Sequence, residues 1–245
     1  MDVGDARYGE GGGQSVSRRR ARREGSRGDT LRPARARPRV NRRPVPNVPH
    51  FPSLPPLIPQ VRGGVRRAIG TAGLRLLGWR IEGSFPNRPK IVIIVAPHTS
   101  NWDFVIGFLA YLALQLSATW FGKHTLFMWP FGLVLRHFGG IPVVRRQSAS
   151  VVELYVAEFN RRDSMTLALA PEGTRRRVSE WKTGFYHIAL GAGAVIVPVV
   201  LDYRARRVRI RPIVVPTGDI ERDLVALRSP FQSAVARYPD KYHDV

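Results

Sequence analysis

The run Ile91–Ala96, IVIIVA, constrains this chain more than any other stretch. Six apolar residues stand in a row, the five of Ile91–Val95 β-branched, with Pro89 before and Pro97 after. Too short for a helix and lacking alternation, the run predicts a strand buried on both faces. Such a strand requires a covering layer on each side. It ends at Pro97, and His98 follows at once, with Asp103 five residues later.

The remaining patterns supply the layers. Helices are predicted at Val61–Leu77, Asn101–Ser117, Val151–Asn160 and Gly184–Ala192. Strands are predicted at Trp79–Ser84, Ala118–Lys123, Gly139–Val144, Thr166–Leu169, Val195–Leu201 and Val208–Val215, with Pro212 marking the last as an edge strand. Strands alternating with helices imply an α/β fold: a single domain with a mostly parallel central sheet flanked by helices. Ligands of such sheets gather at the carboxyl ends of strands, where His98, Arg145 and the Pro171–Arg175 turn would lie.

Residues 1–60 differ in kind. They hold runs such as SRRRARR (Ser17–Arg23) and the proline-rich FPSLPPLIPQ (Phe51–Gln60), with no apolar periodicity before Phe51. Such segments bury too little to offset chain entropy. The chain therefore divides into a disordered tail and linker, residues 1–60, and a domain over residues 61–245.

Charge and composition narrow the partners. The formal net charge is +21, from 39 basic and 18 acidic residues. This field favours anions: a membrane surface, a phosphorylated substrate or nucleic acid. Nucleic acid is the least expected, because aromatic residues that stack on bases are nearly absent from the basic tail. Four lysines against 35 arginines also fit the codon bias of a GC-rich genome. The absence of cysteine excludes disulfides, thiolate metal sites and cysteine nucleophiles. In Val61–Leu77 the apolar positions Val65, Ile69, Ala72 and Leu76 alternate with arginines, consistent with a packed surface helix or an interfacial membrane helix. LFMWPFGLVL (Leu126–Leu135) is either core or a surface dipping into lipid. The apolar helix at Asn101–Ser117 falls short of the roughly 20 residues of a membrane span.

Taken alone, the chemical residues leave two readings open. His98 with Asp103 is a general base with its orienting carboxylate, or a turn histidine beside a helix cap, with Ser100 as N-cap and Asp103 at the third helical position. Pro171-Glu172-Gly173-Thr174-Arg175 is a phosphate-binding turn or an ordinary loop. Arg145 and Lys182 are further anion contacts or solvated cations.

The four blocks taken together resemble the glycerolipid acyltransferases, the 1-acylglycerol-3-phosphate acyltransferase family. His98–Asp103 fits that family's H-x4-D motif. Gly139–Arg145, GGIPVVR, is similar to its second block, and Glu172–Arg175 matches its E-G-T-R block. Val195–Val199 with Pro198 resembles the fourth. The likeness covers roughly residues 75–215. It departs at Pro97, Pro142, Val144 and Ala170, which leaves the acceptor open. The resemblance implies an O-acyltransferase acting from acyl-CoA or acyl carrier protein on a lysophospholipid, with no cofactor beyond that co-substrate. His98 would be the base and Asp103 its partner. Arg145, Glu172, Gly173, Thr174, Arg175 and Lys182 would bind the acceptor. The implied location is peripheral, on the cytoplasmic face of an anionic membrane in a bacterium. The alternatives are a different lipid acceptor, or a catalytically silent anionic-lipid-binding protein on the same scaffold.

Overall fold

The computed structural model describes residues 51–143 and 148–242. In chain order the elements are α1 (Gly64–Leu76), β1 (Arg80–Glu82), β2 (Lys90–Ala96), α2 (Asn101–Ala113), β3 (Thr119–Lys123), α3 (Phe131–His137), β4 (Gly140–Val143), α4 (Ser148–Arg161), β5 (Met165–Leu169), α5 (Gly184–Gly191), β6 (Val195–Asp202), β7 (Arg207–Ile210) and α6 (Ile220–Arg228). Seven strands form one sheet in the order β1-β7-β6-β2-β5-β3-β4. The five strands from β6 to β4 are parallel, while β7 runs antiparallel to β6 and carries β1 parallel to itself.

Strand β2 is the middle of this order, and its side chains alternate between two cores. Ile91 and Ile93 pack into the cluster that holds Leu74 of α1 and Ile106 and Ala110 of α2. Val92, Ile94 and Ala96 pack into the opposite cluster with Phe159 of α4 and Phe185 and Ile188 of α5. Strand β6 divides in the same way: Val195, Val197 and Leu201 face one layer, Ile196 and Val200 the other. The period of two is therefore present, but both phases are apolar because both faces are covered. At about 1.5–3 kcal/mol per fully buried aliphatic side chain, this double burial anchors the strand that presents His98.

Three expectations change. Residues 51–60, expected as linker, lie against the domain: Phe51 and Ile58 are buried in the α1/α2 core, and Pro59 O accepts from Ser117 N at 2.9 Å. Apolar residues spaced among the prolines give this stretch something to bury. Strand β7, expected at an edge, lies between β1 and β6. It ends at Ile210, so Pro212 falls beyond the ladder and costs it no hydrogen bond. Helix α6 was not anticipated. Asp219 caps it by accepting from Arg222 N at 3.1 Å, and Asp223 is tied to Tyr186 Oη at 2.8 Å and Thr217 N at 2.7 Å.

Of the two readings open for helix α1, the packed one is not what the structure shows: Val65, Ile69 and Leu76 are exposed. The helix meets α2 through Gly70, Gly73 and Leu74. A Cβ on Gly70 would sit 2.3 Å from Ala113 N and 2.6 Å from Leu109 O, so only glycine permits the approach. We expect Gly70→Ala to destabilise the fold by about 2 kcal/mol or more, even though alanine gains about 1 kcal/mol of helix propensity. Gly107→Ala in α2, where a Cβ would meet nothing within 4 Å, should instead raise stability by up to about 1 kcal/mol. Urea denaturation of the two variants checks both signs.

Candidate active site

His98 stands in the turn between β2 and α2, at the carboxyl end of the central strand. Its side chain is 22% exposed, whereas that of Asp103 is 1% exposed. The turn is held by the start of α2. Ser100 is the N-cap and accepts from Trp102 N at 3.0 Å. Asp103 closes a capping box: its Oδ2 accepts from Ser100 N and from Thr99 N, both at 2.6 Å. The same Oδ2 faces His98 Nδ1 at 3.5 Å. The cap and the pairing thus coexist on one carboxylate. At 3.5 Å the imidazole is aimed at the carboxylate but is longer than a strong hydrogen bond, because Oδ2 already serves two amides.

The turn after β5 approaches from the neighbouring strand. Glu172 Oε1 accepts from His98 N at 3.1 Å, across 74 residues of sequence. The carboxyl is 4% exposed, and Oε2 has no hydrogen-bond partner among the described residues. Burial pushes the Glu172 carboxyl up to about 8; the bond from His98 N opposes this, and the nearby Asp103 charge adds to it. Near neutral pH Glu172 is mostly protonated, so the site carries one carboxylate charge beside His98 rather than two.

Of the other expected residues, Gly173, Thr174, Arg175 and Lys182 lie in the loop between β5 and α5. Gly173 has φ +63°, a conformation natural to glycine, and the Lys182 side chain lies against it: a Cβ there would meet Lys182 Cδ at 3.0 Å. Lys182 N donates to Pro171 O at 2.9 Å, which joins the two ends of the loop. Thr174 Oγ1 accepts from Arg176 N at 3.3 Å. Arg175 and Lys182 are exposed, and neither is ion-paired among the described residues. Arg145 lies outside the described residues.

Sequence reasoning missed Tyr203. It follows β6, the parallel neighbour of β2 on the side away from β5, and its hydroxyl donates to Asp103 Oδ1 at 2.6 Å. The available signal was a tyrosine two residues past the expected strand Val195–Leu201. The C-terminal segment closes over the same corner: Tyr238 N donates to Thr99 Oγ1 at 3.3 Å. The Arg237 guanidinium lies 5.3 Å from the Trp102 ring and 5.9 Å from the Tyr203 ring.

Comparison with known proteins gives the family. Two curated relatives are 1-acyl-sn-glycerol-3-phosphate acyltransferases. That of Haemophilus influenzae is 28% identical over 144 residues, covering 55% of this chain and 59% of the relative. That of Escherichia coli K12 is 29% identical over 145 residues, covering 55% and 58%. The chain therefore spans under two thirds of the length of these relatives. Among solved structures, the 1-acyl-sn-glycerophosphate acyltransferase PlsC from Thermotoga maritima superposes with a TM-score of 0.50 at 18% identity, over 67% of this chain and 76% of that one. This likeness concerns the fold. The acyltransferase family model matches residues 80–202. That segment is about half of the chain and runs from the first residue of β1 to the last of β6, through both His98–Asp103 and Glu172–Arg175; this chain belongs to the acyltransferase family.

Proposed function

We propose that this protein moves a fatty acyl group from a thioester, acyl-CoA or acyl carrier protein, to the hydroxyl of a lysophospholipid such as 1-acylglycerol-3-phosphate. The observation that carries the reading is His98: half-buried, at the carboxyl end of the central strand, with Nδ1 facing Asp103 and its backbone tied to Glu172. A histidine so held leaves Nε2 for substrate.

The chemistry follows from that arrangement. His98 Nε2 takes the proton of the acceptor hydroxyl as its oxygen attacks the thioester carbonyl. The imidazolium is stabilised by the single charge of Asp103, and Glu172, being neutral, does not compete. The tetrahedral intermediate collapses, the carbon–sulfur bond breaks, and the thiolate recovers the proton from His98. The products are an ester and a free thiol. Arg175 and Lys182 carry exposed cations on the loop that begins at Glu172, and with Arg145 they would hold the acceptor phosphate. Glu172, Gly173 and Thr174 shape the loop that presents them.

Both substrates are amphiphiles, which favours work at a bilayer surface. Exposed Val65, Ile69 and Leu76 on α1 are interleaved with exposed Arg62, Arg67 and Arg75, and Met128, Trp129, Leu133 and Val134 are exposed around α3. That combination suits peripheral docking on anionic lipid, at about 1 kcal/mol per basic residue near the surface. Among the described residues, no helix is long and apolar enough to cross a membrane.

One assay tests the whole reading. Thiol release is followed with acyl-CoA and, separately, with acyl carrier protein, with acceptors presented in neutral or anionic vesicles. We expect release to require a lysophospholipid acceptor, to favour one bearing a terminal phosphate, and to be faster on anionic vesicles at low salt. No acceptor-dependent release from either donor would overturn the enzymatic reading. Equal rates on both vesicle types would remove the anionic surface from it.

A further inference from the structure

We propose that Tyr203 is a positioning residue for the reaction: its hydroxyl clamps Asp103 Oδ1, so that Oδ2 stays turned toward His98 Nδ1. The inference rests on the acyl-transfer reading above and adds a third member to the His98–Asp103 pair. The family match ends at Asp202, one residue short of it.

The carboxylate of Asp103 has two oxygens with different duties. Oδ2 receives the Thr99 and Ser100 amides and faces the imidazole. Those amides belong to the same short turn, so they fix the carboxylate from one side only. Rotation about the side-chain axis would carry Oδ2 away from His98 while leaving a capping contact. Tyr203 Oη, at 2.6 Å from Oδ1, opposes that rotation from the turn that follows β6.

The clamp is itself held. The Tyr203 ring meets the buried Trp79 edge-to-face, with centroids 4.9 Å apart and planes at 85°. Tyr203 N donates to Val235 O at 2.9 Å. Burial, and then the hydrogen bond to the carboxylate, hold the phenol well above its usual range, so it remains a donor at any working pH. The charged and titratable groups facing this corner are Glu172 from the β5 turn and Arg237 and Tyr238 from the C-terminal segment. Arg237 lies 5.9 Å from the Tyr203 ring and opposes the effect of the Asp103 charge on the phenol, and Glu172 is mostly neutral. Among the described residues, Tyr203 is thus the group that disperses charge on Oδ1 by direct contact. Without it, Asp103 presents a fuller charge to His98 in a less fixed direction.

The test is Tyr203→Phe in the full chain, which removes one oxygen and keeps the ring on Trp79. The His98 imidazole is titrated by NMR, its signal assigned against His98→Gln, and thiol release is measured across pH. We expect the His98 titration to move to higher pH, the acid limb of kcat to move with it, and kcat to fall by about tenfold with KM for both substrates unchanged. An unchanged His98 titration would overturn the clamp, and so would a rate loss that merely follows a lower Tm. Should Tyr203→Phe fold poorly, 3,5-difluorotyrosine at position 203 keeps the ring and strengthens the donor. The His98 titration should then move to lower pH, and no movement would overturn the proposal. The NMR readout does not depend on turnover. If the wild type releases no thiol, acyl transfer fails as a reading while the clamp is still judged by the titration.

Discussion

Replacing His98 by alanine is expected to lower kcat/KM for acyl transfer by at least about a thousandfold, while Tm and the circular dichroism spectrum stay near those of the wild type. General-base catalysis supplies a factor of about 10²–10⁴, and the residual rate would come from substrate positioning alone. The fold should tolerate the change, because the tether from this turn to Glu172 uses the His98 backbone N–H, which alanine keeps. The side chain is partly exposed. Thiol release at donor and acceptor concentrations well below KM measures the effect. Near-normal turnover in a folded variant would remove His98 as the base.

The second large effect is Asp103→Asn. Asparagine retains a carbonyl oxygen that can accept from the Thr99 and Ser100 amides, so the helix cap largely survives. What is lost is the charge behind Nδ1. The imidazole is then free to adopt the wrong tautomer, and the imidazolium formed in the transition state has no counter-charge. By analogy with hydrolases whose orienting aspartate is amidated, we expect a loss of about a thousandfold or more in kcat. Thermal melting alongside kinetics separates the two duties of this residue. A loss under tenfold with lowered Tm would make Asp103 a cap only. A loss of three orders with a small change in Tm would make it the partner of the base.

These two residues and the strand that carries them were legible because their determinants are local. IVIIVA states its own double burial, and the Ser100/Asp103 cap follows from spacing within one turn. Elsewhere the determinants are not local. The glycines of α1 read as a weakness in helix propensity, since nothing in the sequence says that a second helix comes within contact of their Cα atoms. The proline at 212 reads as an edge signal until the strand is seen to stop two residues before it. Helix α6 had a local signal, Asp219 followed by Glu221 and Asp223, which its polar character obscured. Tyr203 had the least signal of all. Its partner lies 100 residues away, and the two meet only because β6 and β2 are parallel neighbours. The contact between Glu172 and His98 depends likewise on β5 lying on the other flank of β2.

Helix α1 carries one more consequence. In most amphipathic helices the apolar side chains serve the fold, and a substitution that weakens an external contact weakens folding as well. Here Gly70 and Gly73 hold the helix against the domain through bare backbone, while Val65, Ile69 and Leu76 are left out of the packing. Substitutions at those three positions should therefore change what the helix surface contacts with little effect on stability, whereas substitutions at the two glycines should act on the fold. The outer face of the helix can change its chemistry without its architecture having to follow.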